Sequence, residues 1–129
     1  MDYDVTVIGA GVVGLAVASK LSEKHESVLI IDKEDSFGRG ISSRNSEVIH
    51  SGIYYKQSSL KAELCVKGQN ILYQYCNKKS IPHKILGKLI VAQGSIGRNK
   101  LNNILINSQK NGVSSGRLCS KEEISELEP

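Results

Sequence analysis

Two short, solid apolar runs bracket a helix-spaced stretch in the first third of the chain. Val5-Thr6-Val7-Ile8 and Val28-Leu29-Ile30-Ile31 are β-rich and read as buried strands. Between them Leu15, Ala16, Val17, Ala18 and Leu21 recur with helical spacing and give way to polar residues from Ser22 to Glu26. Strand, helix and strand fit within about 30 residues, the length of a βαβ unit. So short a crossover predicts parallel strands joined right-handedly, which sets the fold class as α/β.

Residues 33–57 show no sustained period. Gly38, Gly40 and the polar cluster at 42–46 mark a loop, and Glu47 to Tyr55 suits either a short helix or an extended segment. Ser58 or Ser59 then precedes an amphipathic helix. Leu60, Leu64, Gly68, Ile71 and Tyr75 fall within about 80° on a helical wheel and form its expected core stripe, away from Lys61, Lys67, Gln74 and Lys78. Pro82 closes this region, and Leu89-Ile90-Val91-Ala92 predicts a further strand. Leu101, Ile104 and Leu105 predict a helix stopped by Asn111-Gly112. Ser120-Lys121-Glu122-Glu123 matches a capping box and opens another helix shortly before Pro129. Parallel sheets need several strands covered on both faces, and only two clear ones are present. The expectation is therefore of a truncated sequence.

Composition narrows the class of protein. At 129 residues, 40% hydrophobic and 23% charged, the chain has single-domain length and ordinary globular usage. The net charge of +4 comes mainly from scattered lysines; without a basic block or aromatic-interleaved stripe, nucleic acid is not an expected partner. No apolar run approaches the roughly 20 residues of a membrane span, and no secretory pattern precedes the first strand. Cys65, Cys76 and Cys119 are odd in number and lack CxxC spacing, which argues against a disulfide framework or a zinc site. A reducing, cytoplasmic compartment fits best.

The densest chemistry lies between the first two strands. Gly9-Ala10-Gly11-Val12-Val13-Gly14 is a GxGxxG motif with a strand before it and a helix opening in it. An acidic residue, Asp32, ends the next strand. In that context Gly9 allows the tight turn, Gly11 lets the backbone approach a pyrophosphate, and Gly14 permits close helix–strand packing. The helix N-terminus offers N–H groups and partial positive charge to the phosphates. Asp32 suits the hydroxyls of a ribose. The alternative is a glycine turn followed by an aspartate that caps its own loop, and the motif alone does not separate NAD from FAD.

Beyond Asp32 the segment Ser42-Ser43-Arg44-Asn45-Ser46-Glu47-Val48-Ile49-His50-Ser51-Gly52-Ile53-Tyr54-Tyr55 resembles the L-2-hydroxyglutarate dehydrogenases and oxidases. These belong to the D-amino-acid-oxidase-like FAD superfamily. Ser59-Leu60-Lys61-Ala62, Leu64-Cys65-Val66, Ile81-Pro82-His83-Lys84, Gly87 to Ala92 and Leu127-Glu128-Pro129 resemble the same family in the same order. The resemblance implies a Rossmann-like FAD-binding domain beginning in residues 1–80 and the start of a substrate domain in 81–129, about the N-terminal third of the family fold. It implies FAD-dependent oxidation of (S)-2-hydroxyglutarate to 2-oxoglutarate by the complete enzyme, with a quinone pool or oxygen as electron acceptor and these residues inactive alone. Peripheral contact with the inner face of a membrane would accompany a quinone acceptor. The alternatives are a glycerol 3-phosphate or amino-acid oxidoreductase of the same superfamily, or a non-catalytic truncated remnant.

By the same resemblance, Gly9, Gly11 and Gly14 match the pyrophosphate loop. Asp32 matches the ribose-binding acid, more often Glu in the superfamily. Ser43, Arg44, Asn45 and Ser46 match a loop running past the pyrophosphate toward the flavin, and His50 and Gly52 match positions near the isoalloxazine. Oxidising a 2-hydroxy acid moves a hydride from C2 while the hydroxyl proton leaves, a proton step that suits an imidazole. His50 is therefore the candidate base, the alternatives being a cofactor contact or a covalent flavin tether. Arg44 could pair with a substrate carboxylate, or contact a phosphate or the loop itself. Tyr54 and Tyr55 suit either a pocket wall or the core; His83 reads as structural and His25 as solvated.

Overall fold

The computed structural model describes residues 2–128, and the chain divides into two compact units between Val48 and Ile49. In the first, strand β1 (Val5–Ile8) pairs in parallel with β2 (Val28–Ile31), Val5 opposite Val28 and Ile8 opposite Ile31. Helix α1 (Val12–Leu21) makes the crossover between them. The predicted βαβ unit is thus present, with the helix starting at Val12 inside the glycine motif. Asp4 ties the far end of the ladder: its carboxylate accepts from the N–H groups of Glu26 and Ser27, both at 3.1 Å.

The expectation that both strands are buried is corrected. Val5 and Val7 are half-buried while Thr6 and Ile8 are exposed, because α1 packs on the two strands and can cover only one face. Ile8 is 85% exposed. The buried apolar residues of this unit are Ala10 and Ala18, small side chains that let backbone approach backbone.

The second unit contains α2 (Leu60–Lys78), α3 (Gly94–Lys110) and α4 (Lys121–Leu127). The terminators and caps follow local chemistry. Ser59 accepts from the Ala62 N–H at 3.2 Å, Asn111 closes α3 ahead of Gly112 at φ +86°, and Ser120 and Glu123 form the predicted capping box. Two expectations are corrected here. Leu89–Ala92 is not a strand, since an extended run becomes one only where a neighbour completes its ladder, and the sheet among the described residues has two strands.

The α2 stripe also differs. Leu60 and Ile71 are 68% and 64% exposed, and Leu64 and Tyr75 are exposed with them. The inward face instead carries Ala62, Val66, Gln69, Tyr73 and Cys76, with Ala62 and Cys76 buried. These positions recur at alternating spacings of four and three on the opposite side of the wheel. A cause lies at Gly52, where an added Cβ would stand 3.0 Å from Val66 Cγ2 and 3.4 Å from the Ala62 carbonyl. Main chain rides directly over this face, and a small residue at Ala62 admits it where a leucine would not. Among the described residues no helix is long and apolar enough to cross a membrane.

Candidate functional site

Gly9 leaves β1 at φ +105°, a conformation that L side chains rarely adopt. Its N–H extends the ladder by donating to the Ile31 carbonyl at 2.7 Å. The chain then turns through Ala10 into Gly11, the N-cap of α1. Here the helix lies so close to the turn that a Cβ on Gly14 would fall 1.9 Å from the Gly9 carbonyl oxygen. At Gly11 a Cβ would meet the Ser42 hydroxyl at 3.1 Å, whereas at Gly9 it would meet nothing within 4 Å. The three glycines therefore do different work: conformation at Gly9, closeness to a neighbouring loop at Gly11, and helix–turn packing at Gly14.

Asp32 stands where β2 ends, beside this turn. One carboxylate oxygen accepts from the Ala10 N–H at 2.5 Å and the other from the Glu34 N–H at 3.0 Å. These donors, Glu34 foremost and Ala10 next, hold the Asp32 carboxyl below the usual carboxylate range. Asp32 thus fastens the glycine turn and caps its own loop at once, so the capping role considered from sequence is present. An ionised carboxylate has about four acceptor positions, and the backbone N–H groups that it accepts from leave room for a sugar hydroxyl. An open cleft of about 470 Å³ lies at the C-terminal ends of both strands, lined by Ile8, Gly9, Ile31, Asp32 and Lys33, the location where open α/β sheets receive ligands.

The loop after β2 returns to the glycine turn at two points. Gly38 N–H donates to the Ala10 carbonyl at 2.9 Å, and the Val12 N–H donates to Ser42 Oγ at 2.8 Å. The structure brings Gly9, Gly11, Gly14, Asp32 and Ser42 together, and Ser42 was missed as a site residue because no local signal distinguishes it from the serine beside it. Ser43 instead bonds within the loop, donating to the Gly40 carbonyl at 2.9 Å. Asn45 also shapes the loop: Nδ2 donates to the Ser42 carbonyl at 2.6 Å, and Oδ1 accepts from the Glu47 N–H at 2.7 Å. That bond supports Glu47 at φ +56° as a side-chain-closed turn. Arg44 and Ser46 are exposed in the same segment. His50 is exposed and belongs to the second unit.

The residues present fit the pyrophosphate of a dinucleotide. No side chain projects from the turn at Gly9, Gly11 or Gly14, the first-turn amides of α1 have no intrahelical acceptor, and the helix end carries partial positive charge.

Comparison with known proteins agrees with this geometry. Residues 4–129 match the model of the family described as FAD dependent oxidoreductase. The L-2-hydroxyglutarate dehydrogenase, mitochondrial, of Arabidopsis thaliana is 52% identical over 126 residues, covering 98% of this chain and 26% of the relative. The human protein of the same name is 43% identical over 129 residues, covering 98% and 28%. The L-2-hydroxyglutarate dehydrogenase of Indibacter alkaliphilus is 36% identical over 131 residues, covering 100% and 33%. The chain thus spans between about a quarter and a third of the length of these relatives.

Proposed function

The chain belongs to the FAD dependent oxidoreductase family, and on that premise we propose that it carries the pyrophosphate-binding part of an enzyme oxidising L-2-hydroxyglutarate to 2-oxoglutarate. The observation that carries this reading is the assembly at the start of α1, where a glycine-rich turn, an ionised Asp32 and the returning Ser42 loop converge. Gly9, Gly11 and Gly14 leave room for the pyrophosphate, the Val13 and Gly14 amides at the start of α1 donate to it, and Asp32 accepts from the adenosine ribose. Ser43, Arg44, Asn45 and Ser46 continue the polar loop toward the flavin. Bound FAD supplies a two-electron acceptor for the hydride leaving C2. His50 takes the hydroxyl proton as that hydride departs. Residues 1–80 form the beginning of the FAD-binding part and 81–129 the beginning of the substrate part.

The names of the relatives support the substrate, and the electrons pass on to a quinone or oxygen. The three free thiols support a reducing, cytoplasmic setting, peripheral on a membrane's inner face if a quinone is the acceptor. Anaerobic mixing of the FAD-loaded full-length protein with (S)-2-hydroxyglutarate is expected to bleach the flavin and yield one 2-oxoglutarate per flavin. The (R) enantiomer, glycerol 3-phosphate and amino acids are expected to leave it oxidised. Bleaching by glycerol 3-phosphate or an amino acid, with none by (S)-2-hydroxyglutarate, would overturn the substrate assignment.

A further inference from the structure

The segment carrying His50 has no helix or strand, yet the turn just after it is fastened from two sides. On one side Gly52 is buried at φ +85° against Ala62, Cys65 and Val66 of α2. On the other, two carboxamides from the end of α3 reach the turn's carbonyls. Asn107 Nδ2 donates to the Ile53 carbonyl at 2.9 Å and to the Tyr55 carbonyl at 3.0 Å. Asn111 Nδ2 donates to the Gly52 carbonyl at 3.0 Å and to the Tyr55 carbonyl at 2.9 Å. Each amide thus uses both of its hydrogens, and the Tyr55 carbonyl uses both of its lone pairs.

Nothing in the turn itself could do this. Its own backbone bond, from the Tyr55 N–H to the Gly52 carbonyl, is long at 3.4 Å. The two asparagines stand four residues apart and so share one face of the chain's helical path. They act across 52 to 59 residues of sequence. The Lys61 ammonium adds a contact 4.4 Å from the centroid of the Tyr55 ring.

We propose that Asn107 and Asn111 are positioning residues: by clamping the 52–55 main chain they fix the segment from which His50 projects. The inference rests on the reading of His50 as the proton acceptor. A base that must meet a hydroxyl at hydrogen-bond distance loses rate when its backbone drifts, and a misplacement of about 1 Å can cost on the order of 10²-fold.

The test is Asn107→Asp in the FAD-loaded full-length protein, with Asn111→Ala as the second variant. A carboxylate at 107 has no hydrogen to donate and sets negative charge against the Ile53 and Tyr55 carbonyls. The protonated acid regains one donor. Exchange of the Tyr55 amide, the hydrogen-bonded N–H of the turn, is expected to accelerate at least about 10-fold in both variants. Flavin reduction by saturating (S)-2-hydroxyglutarate is expected to fall by roughly 10- to 100-fold. The dissociation constant for FAD should stay within about twofold of wild type, since the clamp bonds none of the glycine turn. For Asn107→Asp the deficit relative to wild type should shrink as the pH is lowered, which loss of packing alone would not produce.

Wild-type exchange rates in both variants would overturn the clamp. Accelerated exchange with wild-type reduction would overturn its link to the reaction. His50→Ala measured alongside separates the two failures: an unimpaired His50→Ala shows that the reading of His50 has fallen, and an impaired one shows that the clamp alone has.

Discussion

Replacing Gly14 with alanine is expected to give a full-length protein that purifies without flavin. The added methyl would stand 1.9 Å from the Gly9 carbonyl oxygen, a distance that real Cβ atoms essentially never show, and 3.0 Å from its carbon. Gly9 cannot retreat cheaply, because its N–H is bonded to Ile31 at 2.7 Å and its neighbour Ala10 to Asp32 at 2.5 Å. Val7 Cγ1, at 3.6 Å, closes the strand side. The helix must therefore swing off the turn, at an overpacking cost of about 1–3 kcal/mol or more, and its first amides leave the pyrophosphate position. Gly11→Ala should be milder, as the one atom it approaches is the Ser42 hydroxyl at 3.1 Å, and only its bond to the Val12 N–H must give. Gly68→Ala is the control: it lies within α2 with nothing within 4 Å, so it should retain FAD and gain up to about 1 kcal/mol of helix propensity. Flavin absorbance relative to protein absorbance after purification decides the matter. Stoichiometric FAD on Gly14→Ala would show that the tight helix–turn contact is dispensable.

His50→Ala is expected to slow anaerobic flavin reduction by (S)-2-hydroxyglutarate by about 10² to 10⁴, the usual cost of losing a positioned general base. FAD affinity should be unchanged, because no hydrogen bond at the glycine turn or Asp32 involves this residue. Stopped-flow reduction measures the rate, and titration of the apoprotein with FAD measures the affinity. A wild-type rate would remove His50 from the proton step, and loss of flavin would reassign it to cofactor binding.

The features legible in the sequence are those whose causes are local. The β1–α1–β2 unit follows from two apolar runs and three glycines within a few turns of chain, and Ser59, Asn111-Gly112 and the Ser120–Glu123 box announce helix ends through bonds spanning a few residues. Contacts between distant segments are where sequence reasoning stops. Ser42 meets Val12 across 30 residues and Asn107 meets Ile53 across 54, and neither residue type advertises its partner.

The α2 surface shows the same limit in energetic form. Its strongest hydrophobic stripe is exposed, while a face of smaller and polar residues is turned inward by the approach of the Gly52 main chain. Periodicity finds the apolar faces of a helix but does not say which one the neighbouring backbone needs. Leu89–Ala92 has the propensity of a strand without a partner to make it one. At the site, the glycines and Asp32 were visible because their chemistry is tied to a spacing. The bonds of Ser43 and Asn45 within their own loop were not.

The segment from Gly9 to Ser46 is proposed to hold the pyrophosphate and ribose of FAD. Hydrogen exchange of the full-length protein, with and without FAD, tests it most directly. The expected result is slower exchange on FAD binding at the amides of residues 10–15, at 32–34 and through 42–46. FAD bound at full occupancy with no change in those three segments, and protection elsewhere, would contradict the account.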